Sequence, residues 1–259
     1  MRTLSASSEG QNIDPTRPLV VSAAEVPDAH FIPMHHHPRG QLLYAVSGAM
    51  RVRVGASGWI VSPRTGVWVP CGTPHQVEAG ASVSYRSVFV NPAAAQAISH
   101  RGPISIDALT REIILEAATF CAHYRPDSAE SRLIEVLHDR LRRVSAAALP
   151  IPLPGDARTR RICDALLAHP ADNRNLETWG HLVGASARTI ARLFVRETGM
   201  TFSAWVRHMR LSLALDRLIQ GDSVTTVALD LGYASPGAFS AMFRRALGAS
   251  PGRYLSPKI

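Results

Sequence analysis

Leu176-Glu177-Thr178-Trp179-Gly180-His181-Leu182-Val183-Gly184-Ala185-Ser186-Ala187-Arg188-Thr189-Ile190-Ala191-Arg192-Leu193-Phe194-Val195-Arg196-Glu197-Thr198-Gly199 reads as two short helices around a tight turn. Leu176 to Val183 makes the first helix, Gly184-Ala185-Ser186 the turn, and Ala187 to Glu197 the second. Ser186 is placed to cap that second helix, because a serine hydroxyl accepts from the unpaired amides of a first turn. The same grammar returns about 50 residues later. Val224 to Leu231 is a helix, Gly232-Tyr233-Ala234-Ser235 a turn, and Pro236 to Ala246 a helix with proline at its first position. In each copy a phenylalanine (Phe194, Phe243) lies eight residues past the cap serine, and a glycine (Gly199, Gly248) five further on. The chain therefore contains a repeated helix-turn-helix. Between the copies, Phe202 to Gln220 reads as one helix with Trp205, Met209, Leu211, Leu215 and Leu218 available for packing. At 1.5 Å per residue it spans about 27 Å. That approaches the roughly 34 Å between successive major-groove faces of a duplex, so both second helices could enter one DNA face.

Working back toward the N-terminus, Pro150, Pro152 and Pro154 mark a semi-rigid linker over residues 148–156, ahead of an all-α domain over 157–259. Residues 98–147 carry helical spacing twice: Ile106, Leu109, Ile113, Ile114 and Ala117, then Leu133, Val136, Leu137, Leu141 and Val144. The second set is a narrow stripe on a charged helix and reads as a homodimer contact, with packing on the preceding domain as the alternative. Residues 19–97 show short alternating runs between Gly/Pro turns, such as Met50-Arg51-Val52-Arg53-Val54, Val67-Trp68-Val69 and Val83 to Val90. Strands at that spacing mean a sandwich or small barrel. Residues 1–18 read as a flexible arm. The expected fold class is α+β in two domains: a β-barrel with a helical pair, then an all-α domain.

Composition narrows the function classes. Of 259 residues 46% are apolar, enough to bury cores, and no apolar run approaches the roughly 20 residues of a membrane span. Three scattered cysteines (Cys71, Cys121, Cys163) argue against a disulfide framework, and the first residues lack a signal-peptide core. A cytoplasmic protein with no membrane association is expected. The net charge of +8 is uneven: residues 1–150 carry +2 and residues 151–259 carry +6. A basic all-α domain suits a polyanionic partner such as double-stranded DNA.

The residues Leu193-Phe194, Gly199, Phe202, Trp205, Arg210-Leu211, Ala228, Gly232-Tyr233, Ser235, Phe239, Phe243-Arg244, Gly248, Ser250-Pro251 and Tyr254 resemble the AraC-type family of bacterial transcription regulators. The likeness covers residues 157–257. Trp179-Gly180 and Trp205 depart from that pattern. The resemblance puts the DNA-facing positions of the first recognition helix on Arg188, Ala191 and Arg192, and those of the second on Gly237, Ser240 and Ala241, flanked by Arg244 and Arg245. Arginine suits bidentate contact with guanine, whereas glycine, serine and alanine read bases poorly. The first unit is thus expected to read sequence and the second to anchor on phosphates.

In the first domain, His35-His36-His37-Pro38-Arg39-Gly40-Gln41 is the chemically richest stretch, and Pro70-Cys71-Gly72-Thr73-Pro74-His75 delivers one more histidine from a tight turn. In a strand, positions 35 and 37 share a face about 7 Å apart, and His36 faces away. The two segments resemble the paired motifs of the cupin superfamily, with Gln41 in place of a glutamate and Ala79 in place of an asparagine. That resemblance implies a divalent transition metal (zinc, nickel, iron or copper) on His35, His37, Gln41 and His75. Its occupancy is expected to fall as pH drops through the imidazole range near about 6.5. The alternatives are a small-molecule effector held by hydrogen bonds alone, or an inert solvated loop. His100, His123, His138, His169, His181 and His208 are isolated. The expected function is a non-enzymatic DNA-binding regulator whose barrel senses a small molecule, a metal or both. The competing reading is a metal-dependent cupin enzyme, a dioxygenase or isomerase, with an accessory helical domain.

Overall fold

The alternating runs become strands because each can bury one or both of its faces. In the computed structural model these are β1 (Leu19–Val26), β2 (His30–His35), β3 (Gly40–Ser47), β4 (Met50–Val54), β5 (Ser57–Val61), β6 (Thr65–Val69), β7 (His75–Ala79), β8 (Val83–Val90) and β9 (Gly102–Ser105). The structure describes residues 16–255 apart from 56, 62, 80–81, 121–123, 148 and 220. Most of the expected arm, together with Cys121 and His123, lies outside the described residues. The chain divides into two compact units, 1–150 and 151–259, at the proline-rich segment.

In the first unit the strands form two antiparallel sheets, one ordered β1-β8-β3-β6-β9 and the other containing β5-β4-β7-β2. Leu43, Ala45, Val67, Val69, Val83 and Tyr85 of the first sheet cluster with Ile32, Met50, Val52, Val61, Val77 and Ala79 of the second. The opposite face of the first sheet is covered by α2 (Ala108–Ala117) and α3 (Ala129–Arg142), capped by Asp107 and Ser128. Leu42, Tyr44, Trp68, Val88 and Val90 share a core there with Ile113, Ile114, Ile134, Leu137 and Leu141.

Two boundaries and the use of one helix differ from expectation. A short helix, α1 (Pro92–Ala95), falls inside the span read as strands. Strand β9 falls inside the span read as helical, pairing Thr65↔Ser105 through Trp68↔Gly102 at the end of its sheet. A proline is tolerated there because an edge strand need not use every amide. The stripe on α3 also has a different use. Leu137 and Leu141 are buried in the unit's own core with Ile134, and Leu133 and Val144 pack against it. Only Val136 is left exposed, so most of this stripe is spent on the unit's own core.

The second unit is helical: α4 (Ala157–Ala168), α5 (Leu176–Val183), α6 (Ala187–Thr198), α7 (Phe202–Ile219), α8 (Val224–Asp230), α9 (Pro236–Leu247) and α10 (Pro251–Leu255). Ser186 caps α6 by accepting from the Thr189 amide at 3.2 Å, and Ser235 caps α9 by accepting from Ala238 at 3.1 Å. Both second helices end on a left-handed glycine, Gly199 and Gly248. Phe194 packs on Phe202 and Trp205, and Phe243 on Phe239 and Tyr254, so the repeated phenylalanine is the core of each copy. Gly180 has a steric reason: a Cβ there would stand 2.4 Å from the Ala185 carbonyl, so the turn can close only over glycine.

Candidate functional site

Two sites emerge, one in each unit. In the first, β2 and β7 pair antiparallel, and a register shift between Ile32 and His35 sets His35 opposite His75. Such a bulge re-aims a side chain at a strand end. His37 lies just beyond β2, where its carbonyl accepts from the Gly72 amide at 3.0 Å and ties the two histidine-bearing segments together. Gln41 comes from β3 in the other sheet, on the face shared by Leu43 and Ala45. His36 is exposed, as its parity required. The three ligand-capable histidines converge, with their candidate ligand atoms all within 4.8 Å of one another.

The protonation pattern follows from the partners. Each Nδ1 lies against a backbone carbonyl: His35 on Pro33 at 2.9 Å, His37 on Arg39 at 2.8 Å, His75 on Thr73 at 2.9 Å. A carbonyl can only accept, so each Nδ1 carries the proton and each neutral ring presents a bare Nε2 lone pair. The Oε1 of Gln41, also an acceptor, lies 3.1 Å from the Nε2 of His37 and 2.9 Å from that of His75. As the amide is placed, its Nε2 donates outward to Ser87 Oγ at 3.0 Å and its oxygen faces the two rings. Acceptors aimed at one point repel unless a cation or proton sits among them. Histidines that ligate metals are typically held this way, donating their second nitrogen to a carbonyl. The residues present therefore fit a divalent transition metal.

Burial keeps the inner rings neutral. Desolvation pushes the His75 imidazole down to about 4 and lowers that of His37. Both rings therefore keep their neutral form to lower pH than an ordinary imidazole. Ser87 was missed from the sequence. Its signal is a fully buried serine on β8 between Tyr85 and Phe89, at a parity that otherwise faces the apolar interior.

In the second unit, Arg188 and Arg192 are exposed on α6, with Ala191 half-buried between them, while Ile190, Leu193 and Phe194 form the buried face. Neither arginine has an ion pair or hydrogen bond among the described residues, so both guanidiniums are available to a ligand. On α9, Gly237, Ala241, Arg244 and Arg245 are exposed and Ser240 is half-buried, opposite Phe239 and Phe243. All eight positions expected at DNA thus lie off the core faces of their helices. Beside α6 runs a cleft of about 650 Å³ lined by Asn175, Arg188, Ala191, Ser203 and Arg207. Arg207, exposed on α7, was not singled out from the sequence because α7 reads chiefly as a packing element.

One buried cation joins the two copies. Arg210 on α7 donates from Nε to the Pro170 carbonyl at 2.7 Å, and from Nη2 to the Asp172 carbonyl and Asn173 Oδ1, both at 3.0 Å. Asn173 donates in turn to the Gly232 carbonyl at 3.3 Å, in the turn of the second helix-turn-helix. A loop of the first copy is thereby clasped to the turn of the second, and the connecting helix supplies the guanidinium.

A paired helix-turn-helix with free arginines, preceded by a β-rich domain with a buried polar cluster, defines a DNA-binding regulator with a ligand-binding domain. Comparison with known proteins agrees. The AraC-like ligand binding domain family matches residues 18–153, and a Helix-turn-helix domain family matches residues 179–256. The HTH-type transcriptional regulator NimR of Escherichia coli K12 is 34% identical over 224 residues, covering 86% of this chain and 82% of that protein. RipA of Corynebacterium glutamicum, another HTH-type transcriptional regulator, is 32% identical over 126 residues, covering 48% of this chain and 38% of its own. ToxT from Vibrio cholerae aligns over 92% of this chain and 97% of its own at 10% identity and a TM-score of 0.38, a distant likeness. The chain belongs to the AraC-type family of transcription regulators. No helix among the described residues is long and apolar enough to cross a membrane.

Proposed function

We propose that this regulator senses a divalent transition metal in its first unit, with or without a small-molecule effector, and transmits occupancy to a sequence-reading second unit. The observation that carries the metal reading is the set of four buried or half-buried acceptors, His35 Nε2, His37 Nε2, His75 Nε2 and Gln41 Oε1, aimed at one another. Neutral imidazoles with an amide oxygen suit zinc, nickel, iron or copper. The reading has the cluster regulate rather than catalyse, because a neutral amide brings no general base to the centre. In the second unit Arg188 and Arg192 read base edges, and Arg244 and Arg245 anchor α9 on phosphates. The chain acts as a homodimer, a reading supported by Leu109 and Val136 standing exposed on the adjacent helices α2 and α3. The test is elemental analysis of untagged protein purified without chelator, beside a His37→Ala/His75→Ala variant. Metal in the first and not the second supports the reading; equal content, or none in either after reconstitution, overturns it.

A further inference from the structure

We propose that the effector of the first unit is an anion of the carboxylate class, bound directly to the cation held by His35, His37, Gln41 and His75. This rests on the metal reading above and goes beyond it by naming the ligand's charge. The argument is one of electroneutrality. Three imidazoles held in their Nδ1–H form and one amide are all neutral, so a divalent ion among them keeps its whole charge. His75 is fully buried, and Gln41 and His37 are 4% and 5% exposed. Among the described residues no carboxylate joins the cluster. Glu78, three residues beyond His75 on β7, alternates to the other face and pairs with Arg51 at 3.1 Å. Glu25 pairs with Arg86 at 3.1 Å. An uncompensated double charge in an apolar interior is costly, and the bound ion is then the largest local charge. The counter-charge has to arrive with a ligand.

The local geometry suits that arrival. His37 and His75 are buried while His35 is only half-buried and His36 beside it is exposed, so the cluster is reached from the His35 side. Four protein donors leave a position on a five- or six-coordinate ion. The fourth donor, the Gln41 amide, donates to Ser87 Oγ and is neutral, so it adds no charge to offset the cation. A glutamate at position 41 would supply half of the missing charge from the protein itself. Gln41 therefore shifts the demand for charge onto the effector, and the site should discriminate a carboxylate from its neutral amide.

The experiment uses the full chain, untagged, stripped of metal and loaded with cobalt(II), whose visible bands report ligand exchange. Acetate and acetamide are the paired probes, alike in size and different in charge. Acetate should shift the bands saturably, with acetamide binding about tenfold more weakly or worse. Gln41→Glu should hold cobalt more tightly and bind acetate about tenfold more weakly than the wild type. Equal responses to acetate and acetamide, or undiminished acetate binding by a folded Gln41→Glu variant, overturn the inference; the acetamide comparison stands if that variant does not fold. Cobalt that is lost in His75→Ala but ignores acetate sinks this inference alone. Absence of cobalt uptake sinks it together with the metal reading, while salt-dependent DNA binding is scored separately.

Discussion

Residue identity decides which contacts carry sequence information. Arg192 stands free on the exposed face of α6, so Arg192→Ala is expected to cost roughly 1–3 kcal/mol of operator affinity and relax preference at one base pair. Arg244 flanks α9, and Arg244→Ala should weaken all sequences alike and lower the salt slope by about one. Binding titrations over mutated operators would show the two roles exchanged if the assignment of reader and anchor is wrong. The histidines make a prediction of their own. His75 titrates at about 4 in the folded chain because burial disfavours its charge, against an ordinary value of 6.5 when unfolded. Between those values the unfolded state binds more protons, so stability falls as pH is lowered through that window and is fully present above it. One such group changes stability by about 1.4 kcal/mol per pH unit. Denaturant midpoints of the metal-free protein should fall from pH 6.5 to 4, with a shallower fall in His75→Gln.

Elements are placed by a few close approaches. Gly232 has φ +79°, and a Cβ there would stand 2.7 Å from the Ala171 Cα. Gly232→Ala meets both the left-handed penalty of about 1–2 kcal/mol and a backbone clash, so it should lower the melting temperature of the second unit. Removing the clasp has a different signature. Arg210→Met keeps apolar volume but leaves the Pro170 and Asp172 carbonyls without their donor, at about 1–3 kcal/mol for each group left unsatisfied. Its expected readout is altered tolerance to the spacing between half-sites in addition to lost stability, because the loop it holds ties one helix-turn-helix to the other. A melting shift with unchanged spacing preference would reduce Arg210 to a purely structural residue. The α3 helix teaches the converse lesson. Its apolar residues read from the sequence as a subunit contact, with core packing the alternative, and the sheet face beneath claimed all but Val136.

For the whole molecule, the two units make separable predictions. Residues 151–259 produced alone should fold and retain weakened, steeply salt-dependent DNA binding, since phosphate contacts release counterions. Affinity that ignores salt would contradict a phosphate-anchored interface. The full chain should sediment as a dimer at micromolar concentration, and Val136→Arg should shift it toward monomer without unfolding it, because that side chain is exposed. A dimer untouched by Val136→Arg moves the contact away from the outer face of α3.

The repeated helix-turn-helix was legible in the sequence because its signals are local. Cap serines, left-handed glycines and a phenylalanine at fixed offset each act within a turn or two, so spacing placed α5, α6, α8 and α9, and the family resemblance added the exposed arginines. The histidine cluster was legible only in part. His35, His37, Gln41 and His75 stood out by spacing and by the cupin resemblance, but their tautomers, the depressed titration of His75, and Ser87 behind Gln41 depend on residues up to 46 apart being joined by pairing within one sheet and packing between two. β9 and the fate of the α3 stripe were likewise settled by tertiary pairing. A four-residue strand and an apolar stripe carry no mark of their partner until the sheet edge and sheet face that accept them exist.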